Sequence, residues 1–275
     1  MCVTSSPAII GGTMAYTYAA LVLHKGDSRN FHVTGYQNTA QTLEGPNCMI
    51  LHFPGDEIQL VRGPEQTRHF MTDMTTNLPA LQPLPPATLG RGASRGLASY
   101  APRVEEYGAY HVVLAQHSDG ILDALEEVPP HRRPRRTTQL EKLVAWYHEN
   151  FEDYSFVLAC FNGAVRPQHP IVVSYVAHND DVLFVPGLEG HDGNVPIIGQ
   201  PVSRNFRIAF GDQERPQPYT IRYTDENVSG QPWAPATVTG FFDNRYRSDN
   251  GDYTIGRLSV GEGLIGKELF TELIA

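Results

Sequence analysis

Three groupings of residues have types and spacings that could do chemistry. The densest is His178-Asn179-Asp180-Asp181, followed after Val182–Pro186 by His191-Asp192-Gly193. Imidazoles and carboxylates together suit divalent zinc, manganese or iron, and a metal held there could activate water for hydrolysis. The expected ligands are His178, Asp180, Asp181, His191 and Asp192. They meet only if the turn at Gly187-Leu188-Glu189-Gly190 folds His191 back toward Asp180. The spacing matches neither HExxH nor an EF-hand loop. Asn, Asp and Gly also populate turns for backbone reasons, so two plain turns are the competing reading.

The second grouping is the start of the chain. Met1 before a small residue is normally removed in the cell, which would leave Cys2 as an N-terminal thiol. Such a thiol can act as nucleophile with its own amino group as base, the logic of N-terminal-nucleophile amidohydrolases. The spacing names no partner for Cys2, and Val3-Thr4-Ser5-Ser6-Pro7 is a poor strand. The third grouping, Gly92-Ala93-Ser94-Arg95-Gly96, matches GxSxG. A nucleophile elbow needs a strand before the serine and a helix after it, whereas Leu84-Pro85-Pro86 precedes this one, so the motif fails its context.

Two surfaces could take a partner. Arg132, Arg133, Arg135 and Arg136 form a basic run around Pro134, and aromatic residues are frequent late in the chain, Tyr219, Tyr223, Phe241, Phe242, Tyr246 and Tyr253 among them. Either could meet a second copy or another protein; a solvated loop and inward-facing strand residues explain the same composition.

These groupings sit in a chain of 275 residues with 41% hydrophobic residues and a net charge of −9. That length needs no disulfide or metal to fold, and the composition excludes a disordered chain. The acidic balance argues against nucleic acid as a partner. It belongs to the second half: residues 1–137 carry 11 basic and 12 acidic side chains, residues 138–275 carry 10 and 18. No run of 18 apolar residues exists, so no membrane helix and no membrane partner are expected. Met1–Pro7 has neither the basic nor the apolar region of a secretory signal, and three widely spaced cysteines suit reduced thiols; a cytoplasmic location is expected. Arginine supplies all but Lys25, Lys142 and Lys267 of the basic residues, as a GC-rich bacterial-type genome would give.

Strands are expected at Thr13–Leu23 and Phe31–Tyr36 as a hairpin, at Cys48–Phe53, Tyr110–Ala115, Ser155–Phe161, Ile171–Val176, Val182–Val185, Phe206–Phe210, Tyr219–Tyr223, Val238–Phe242 and Tyr253–Leu258. Helices are expected from Pro64 through Met74, after a Ser118 cap, from a Thr138–Glu141 capping box, and over Gly263–Leu273. Strands outnumber helices without alternating with them. This predicts an α+β fold, largely antiparallel, with three to five helices. A proline- and glycine-rich stretch over 79–103 is the expected boundary between a β-rich segment 1–78 and an α+β unit 104–275, or a long loop of one domain. Since no catalytic motif passes its context, a binding or assembly module is the leading expectation. A metal-dependent hydrolase and a Cys2 amidohydrolase are the alternatives.

Overall fold

In a computed structural model, the described residues are 2–21, 30–61, 69–76, 80–81, 101–165, 170–203, 205–215, 219–231, 233–238, 241–244, 247–261 and 271–273. The fold is α+β, dominated by two mixed but mostly antiparallel sheets.

The first sheet has six strands. It is built from β1 (Cys2–Thr4), β4 (Asn47–Phe53), β7 (Arg103–Tyr107), β8 (Tyr110–Ala115), β9 (Ser155–Phe161) and β13 (Glu189–Gly190), in the order β13-β1-β4-β9-β8-β7. The second sheet has eight. Its path is β5 (Gly55–Leu60), β11 (Ile171–Ala177), β3 (Asn30–Thr42), β2 (Ala8–Leu21), β15 (Phe206–Asp212), β18 (Phe241–Asn244) and β6 (Ala80–Leu81), with β10 (Ala164–Val165) also on β3. Both sheets take strands from residues 1–78 and from residues 104–275. Smaller ladders join β12 (Val182–Val185), β20 (Asp252–Gly256) and β21 (Thr271–Leu273), then β14 (Pro201–Ser203) with β19 (Arg247–Asp249), and β16 (Tyr219–Thr220) with β17 (Thr237–Val238).

All seven residues of β4 and all seven of β9 are buried. Central strands covered on both faces read as continuous apolar runs rather than as alternation. One face, with Met49, Leu51, Val157 and Phe161, packs on Ala15, Tyr36, Val173 and Phe210 of the second sheet. The other face, with Cys48, Ile50, Leu158 and Cys160, packs under α2 (Ile121–Ala124) and α3 (Thr138–Asn150). Beyond the second sheet, Tyr16, Tyr18 and Val33 pack on α1 (Phe70–Thr76) and on Trp233. The result is four layers, with the inter-sheet core in the middle. A short α4 (Arg257–Gly261) follows β20, and its Arg257 forms a buried ion pair with Asp212 at 2.8 Å.

Several expectations are corrected. The N-cap of α3 is Thr137, whose side chain accepts from the Leu140 amide, and Glu141 bonds Arg136 rather than closing a capping box from Thr138. The expected apolar stripe holds: Leu140, Leu143, Val144 and Tyr147 are buried. Ser118 contributes its carbonyl, not its hydroxyl, to the start of α2; the hydroxyl bonds His148. Thr271–Leu273, expected as helix, pairs with Asp252–Thr254 as strand, and the chain after Gly256 is helical rather than extended. Tyr219–Tyr223 is extended only over its first two residues. The Pro64 helix start, Gln82–Tyr100 with its GxSxG, and residues 262–270 lie outside the described residues.

Candidate functional site

β1 occupies an interior position of the first sheet, parallel to β13 on one side and antiparallel to β4 on the other. Its register sets Cys2 beside Glu189 and Val3 beside Gly190. Side chains two apart on an extended chain share a face, and laterally paired residues share it too. Cys2, Glu189 and His191 therefore point the same way. His191 Nε2 lies 3.7 Å from Cys2 Sγ and 2.9 Å from Glu189 Oε2. Cys2 is 2% exposed, while the His191 side chain is 31% exposed, so the imidazole forms the open side of the group.

The backbone around these three residues is held by buried amides and carboxylates. Asn47 Oδ1 accepts from the Ser5 hydroxyl and the Ser6 amide, and its Nδ2 donates to the Ser6 carbonyl, which fixes the chain just after Cys2–Thr4. Asn250 clamps Glu189 from both sides, its Oδ1 accepting from the Glu189 amide and its Nδ2 donating to the Glu189 carbonyl, each at 2.8 Å. Asp252 Oδ1 takes the amides of Gly187 and Leu188, while its Oδ2 meets the buried His52 Nε2 at 2.8 Å. The His191 carbonyl accepts from the Ala8 amide at 2.9 Å. Gly193 then turns with φ +80, where an added Cβ would lie 2.9 Å from Ser6 Cα, so the turn needs glycine.

Electrostatics reinforce the group. Burial opposes the charge on His191, but the Cys2 sulfur and the Glu189 carboxylate outweigh it and push the imidazole up to about 9. Burial likewise opposes ionisation of Glu189, and neighbouring positive charge, His191 included, holds it down at about 2. At neutral pH the pair is an imidazolium and a carboxylate. Both contacts use one ring nitrogen, so the carboxylate sits beside the sulfur rather than behind the ring. The Tyr36 hydroxyl accepts from Asn38 Nδ2 at 3.0 Å; burial, then the neighbouring Cys2 sulfur, raises Tyr36 well above its ordinary range.

The residues expected as one metal site go to different places. His178, at the end of β11, donates its amide to the Pro54 carbonyl and sets Nε2 3.5 Å from Asp56 Oδ2. The Asp180 and Asp181 carbonyls accept from Arg257, and the Asp181 amide donates to Asn179 Oδ1. Asp192 closes a turn on Asn194, whose side chain lowers its pKa. Gly187–Gly190 does not bring His191 back to Asp180: β12 pairs with β20, after which the chain runs on along β1. Among the described residues no group of three or more His, Cys, Asp or Glu is arranged to hold a metal ion. Of the basic run, Arg132 bonds His111 and Gly108, Arg133 pairs with Glu126 and Arg136 with Glu141. Among the late aromatics, Tyr253 is buried, and Tyr223 stacks on Phe70 with its hydroxyl on the Pro235 carbonyl.

Cys2 and His191 are expected from the sequence for unrelated reasons, whereas Glu189, Asn250, Asp252 and Tyr36 are not. The only signal for Glu189 is its spacing of two from His191. No helix among the described residues is long and apolar enough to cross a membrane.

The fold and this site define an α+β protein with a thiol, an imidazole and a carboxylate in contact. No family model matches the chain, and no curated protein matches it. Among solved structures it is similar to one described as the crystal structure of baculovirus P35, with 8% identity over 94% of this chain and 92% of that one. The TM-score is 0.42.

Proposed function

We propose that this protein is a cysteine-dependent acyl-transfer enzyme of the amide-hydrolysing type, with Cys2 as nucleophile. The observation that carries the reading is the His191 Nε2 contact with Cys2 Sγ at 3.7 Å, made while Glu189 holds the same ring at 2.9 Å. A thiol within reach of an imidazole that a carboxylate orients is the arrangement of a nucleophile with its proton-transfer partner.

The residues then have distinct roles. The Cys2 sulfur attacks the amide carbonyl carbon and forms an S–C bond. His191 gives its proton to the amine as the C–N bond breaks. Water next attacks the thioester, its proton passes to His191, and the S–C bond breaks to return the thiolate. Glu189 holds the ring in place through both steps and favours its protonated form at the start and end of the cycle. The exposed edge of His191 is the approach, which suits a small amide or the end of an extended one.

The test is turnover of a panel of acyl amides and activated esters by wild type, Cys2→Ala and His191→Gln. Turnover abolished by Cys2→Ala, with an acyl adduct on Cys2 in wild type, supports the reading. Turnover that survives Cys2→Ala, or no adduct with any activated ester, overturns it.

A binding or assembly role is the second reading. Ile9 and Leu43 are each 56% exposed and lie diagonally on one face where β2 and β3 meet, a small apolar patch suited to a second copy. Sedimentation of wild type against Ile9→Ser/Leu43→Ser tests it, and a monomer at all concentrations removes it.

A further inference from the structure

Cys48 and Cys160 face each other across β4 and β9. The Cys48 amide donates to Asn47 Oδ1 and Ser5 Oγ, and its carbonyl accepts from the Ser5 amide. Both backbone groups of Cys48 thus point toward β1 and away from β9. In an antiparallel ladder that makes Cys48 and Cys160 a non-hydrogen-bonded pair, the close kind, with Cα atoms about 4.5 Å apart. Disulfides span Cα separations of roughly 4.4–6.8 Å, so no strand has to move for one to form. Both residues carry free thiols and both are fully buried on the helix-covered face of the sheet.

We propose that Cys48 and Cys160 are a covalent modification site, at which hydrogen peroxide converts the facing thiols to a cross-strand disulfide. Cys48 attacks first: the hydrogen bond from Cys160 lowers its pKa against the pull of burial, and Ser5 adds to the effect, whereas burial pushes Cys160 well up. The Cys48 sulfur takes one peroxide oxygen as the O–O bond breaks, giving a sulfenic acid and one water. The Cys160 sulfur then attacks the Cys48 sulfur, the S–O bond breaks, and a second water leaves with the Cys160 proton. Two thiols are oxidised by two electrons and one peroxide is reduced to two waters. Peroxide is the reagent of choice for this pair because it is a small two-electron oxidant and both thiols are 0% exposed.

The bond would tie together the central strands of the first sheet. One residue earlier, Asn47 clamps Ser5 and Ser6, so the fixed strand is also the one that supports the segment leading from Cys2. The inference stands apart from acyl transfer, because Cys2 takes no part in it.

The experiment treats the reduced full chain, and its Cys2→Ala variant, with millimolar hydrogen peroxide, then unfolds, alkylates and digests it for mass spectrometry. The expected product in both is the linked peptide pair of Cys48 and Cys160, with a melting temperature several degrees higher that falls back in dithiothreitol, since the bond closes a loop of roughly 110 residues. Cys160→Val must lose both effects; if that variant does not fold, wild type and Cys2→Ala decide. Recovery of Cys48 and Cys160 as free thiols after Cys2 has been oxidised overturns the proposal, as does a disulfide that links either of them to Cys2.

Discussion

Replacing His32 by phenylalanine should flatten the acid side of the stability curve. His32 lies in β3 between Ala19 and Tyr175, fully buried, with its ring 5.8 Å from that of Tyr175. Neither ring nitrogen makes a full hydrogen bond. Burial lowers its pKa from 6.5 to about 4; the Arg257 cation adds to the shift, and the Asp180 backbone and the Asp212 carboxylate oppose it. Below pH 6.5 the unfolded chain binds a proton that the folded chain refuses. The stability contributed by neutral His32 is therefore complete above pH 6.5 and is lost as pH falls toward 4. At 1.36 kcal/mol per pKa unit, the loss reaches about 2–3 kcal/mol by pH 4.5. Glu189 is present in both proteins and loses its contribution alike in each, so it drops out of the comparison. Urea unfolding of wild type and His32→Phe from pH 7.5 to 4.5 reads the effect as a gap that changes by this amount across the series. The variant's stability at pH 7.5 is immaterial, because the slope carries the result. Parallel curves would mean that His32 takes up a proton as readily in the folded chain as in the unfolded one.

Other expectations concern the site and its supports. His191→Gln should remove an alkaline loss of stability: a pKa raised to about 9 gives stabilisation that is complete below pH 6.5 and is lost as pH rises through 9, which thermal melts across that range will register. Asn250→Ala leaves the Glu189 amide and carbonyl without their side-chain partner and should cost about 2–4 kcal/mol in chemical denaturation. Gly193→Ala should destabilise by more than Gly163→Ala: both glycines have positive φ, but only at Gly193 would the new Cβ meet backbone, that of Ser6. The strain common to both is about 1–2 kcal/mol, and denaturation of the two variants side by side gives the difference.

Much of the scaffold is legible because its signals are local. Ser155–Phe161 and Val182–Val185 stand out as apolar runs bounded by turn residues, and Leu140, Leu143, Val144 and Tyr147 fall on one helical face. Errors arise where a tertiary partner outweighs local preference. Gly55–Leu60 reads as polar, yet it forms a strand because β11 offers its edge. Cys2–Thr4 lacks strand character on its own and becomes one between β13 and β4. The site is harder still. Cys2 and His191 stand 189 residues apart, and only the parallel register of β1 with β13 brings them together. Nothing local encodes that register; it depends on Asn47, Asn250 and Asp252, which hold the two segments from outside.

If His191 activates Cys2, the rate of Cys2 alkylation must depend on that ring. Iodoacetamide, small enough to approach past the exposed edge of the His191 ring, is applied at neutral pH to wild type and His191→Gln, and peptide mass spectrometry follows each cysteine. Cys2 should react well ahead of Cys48 and Cys160, and His191→Gln should slow Cys2 by at least about tenfold, with the other two unchanged. Equal Cys2 rates in the two proteins, or a Cys2 no faster than Cys48, would contradict activation by His191.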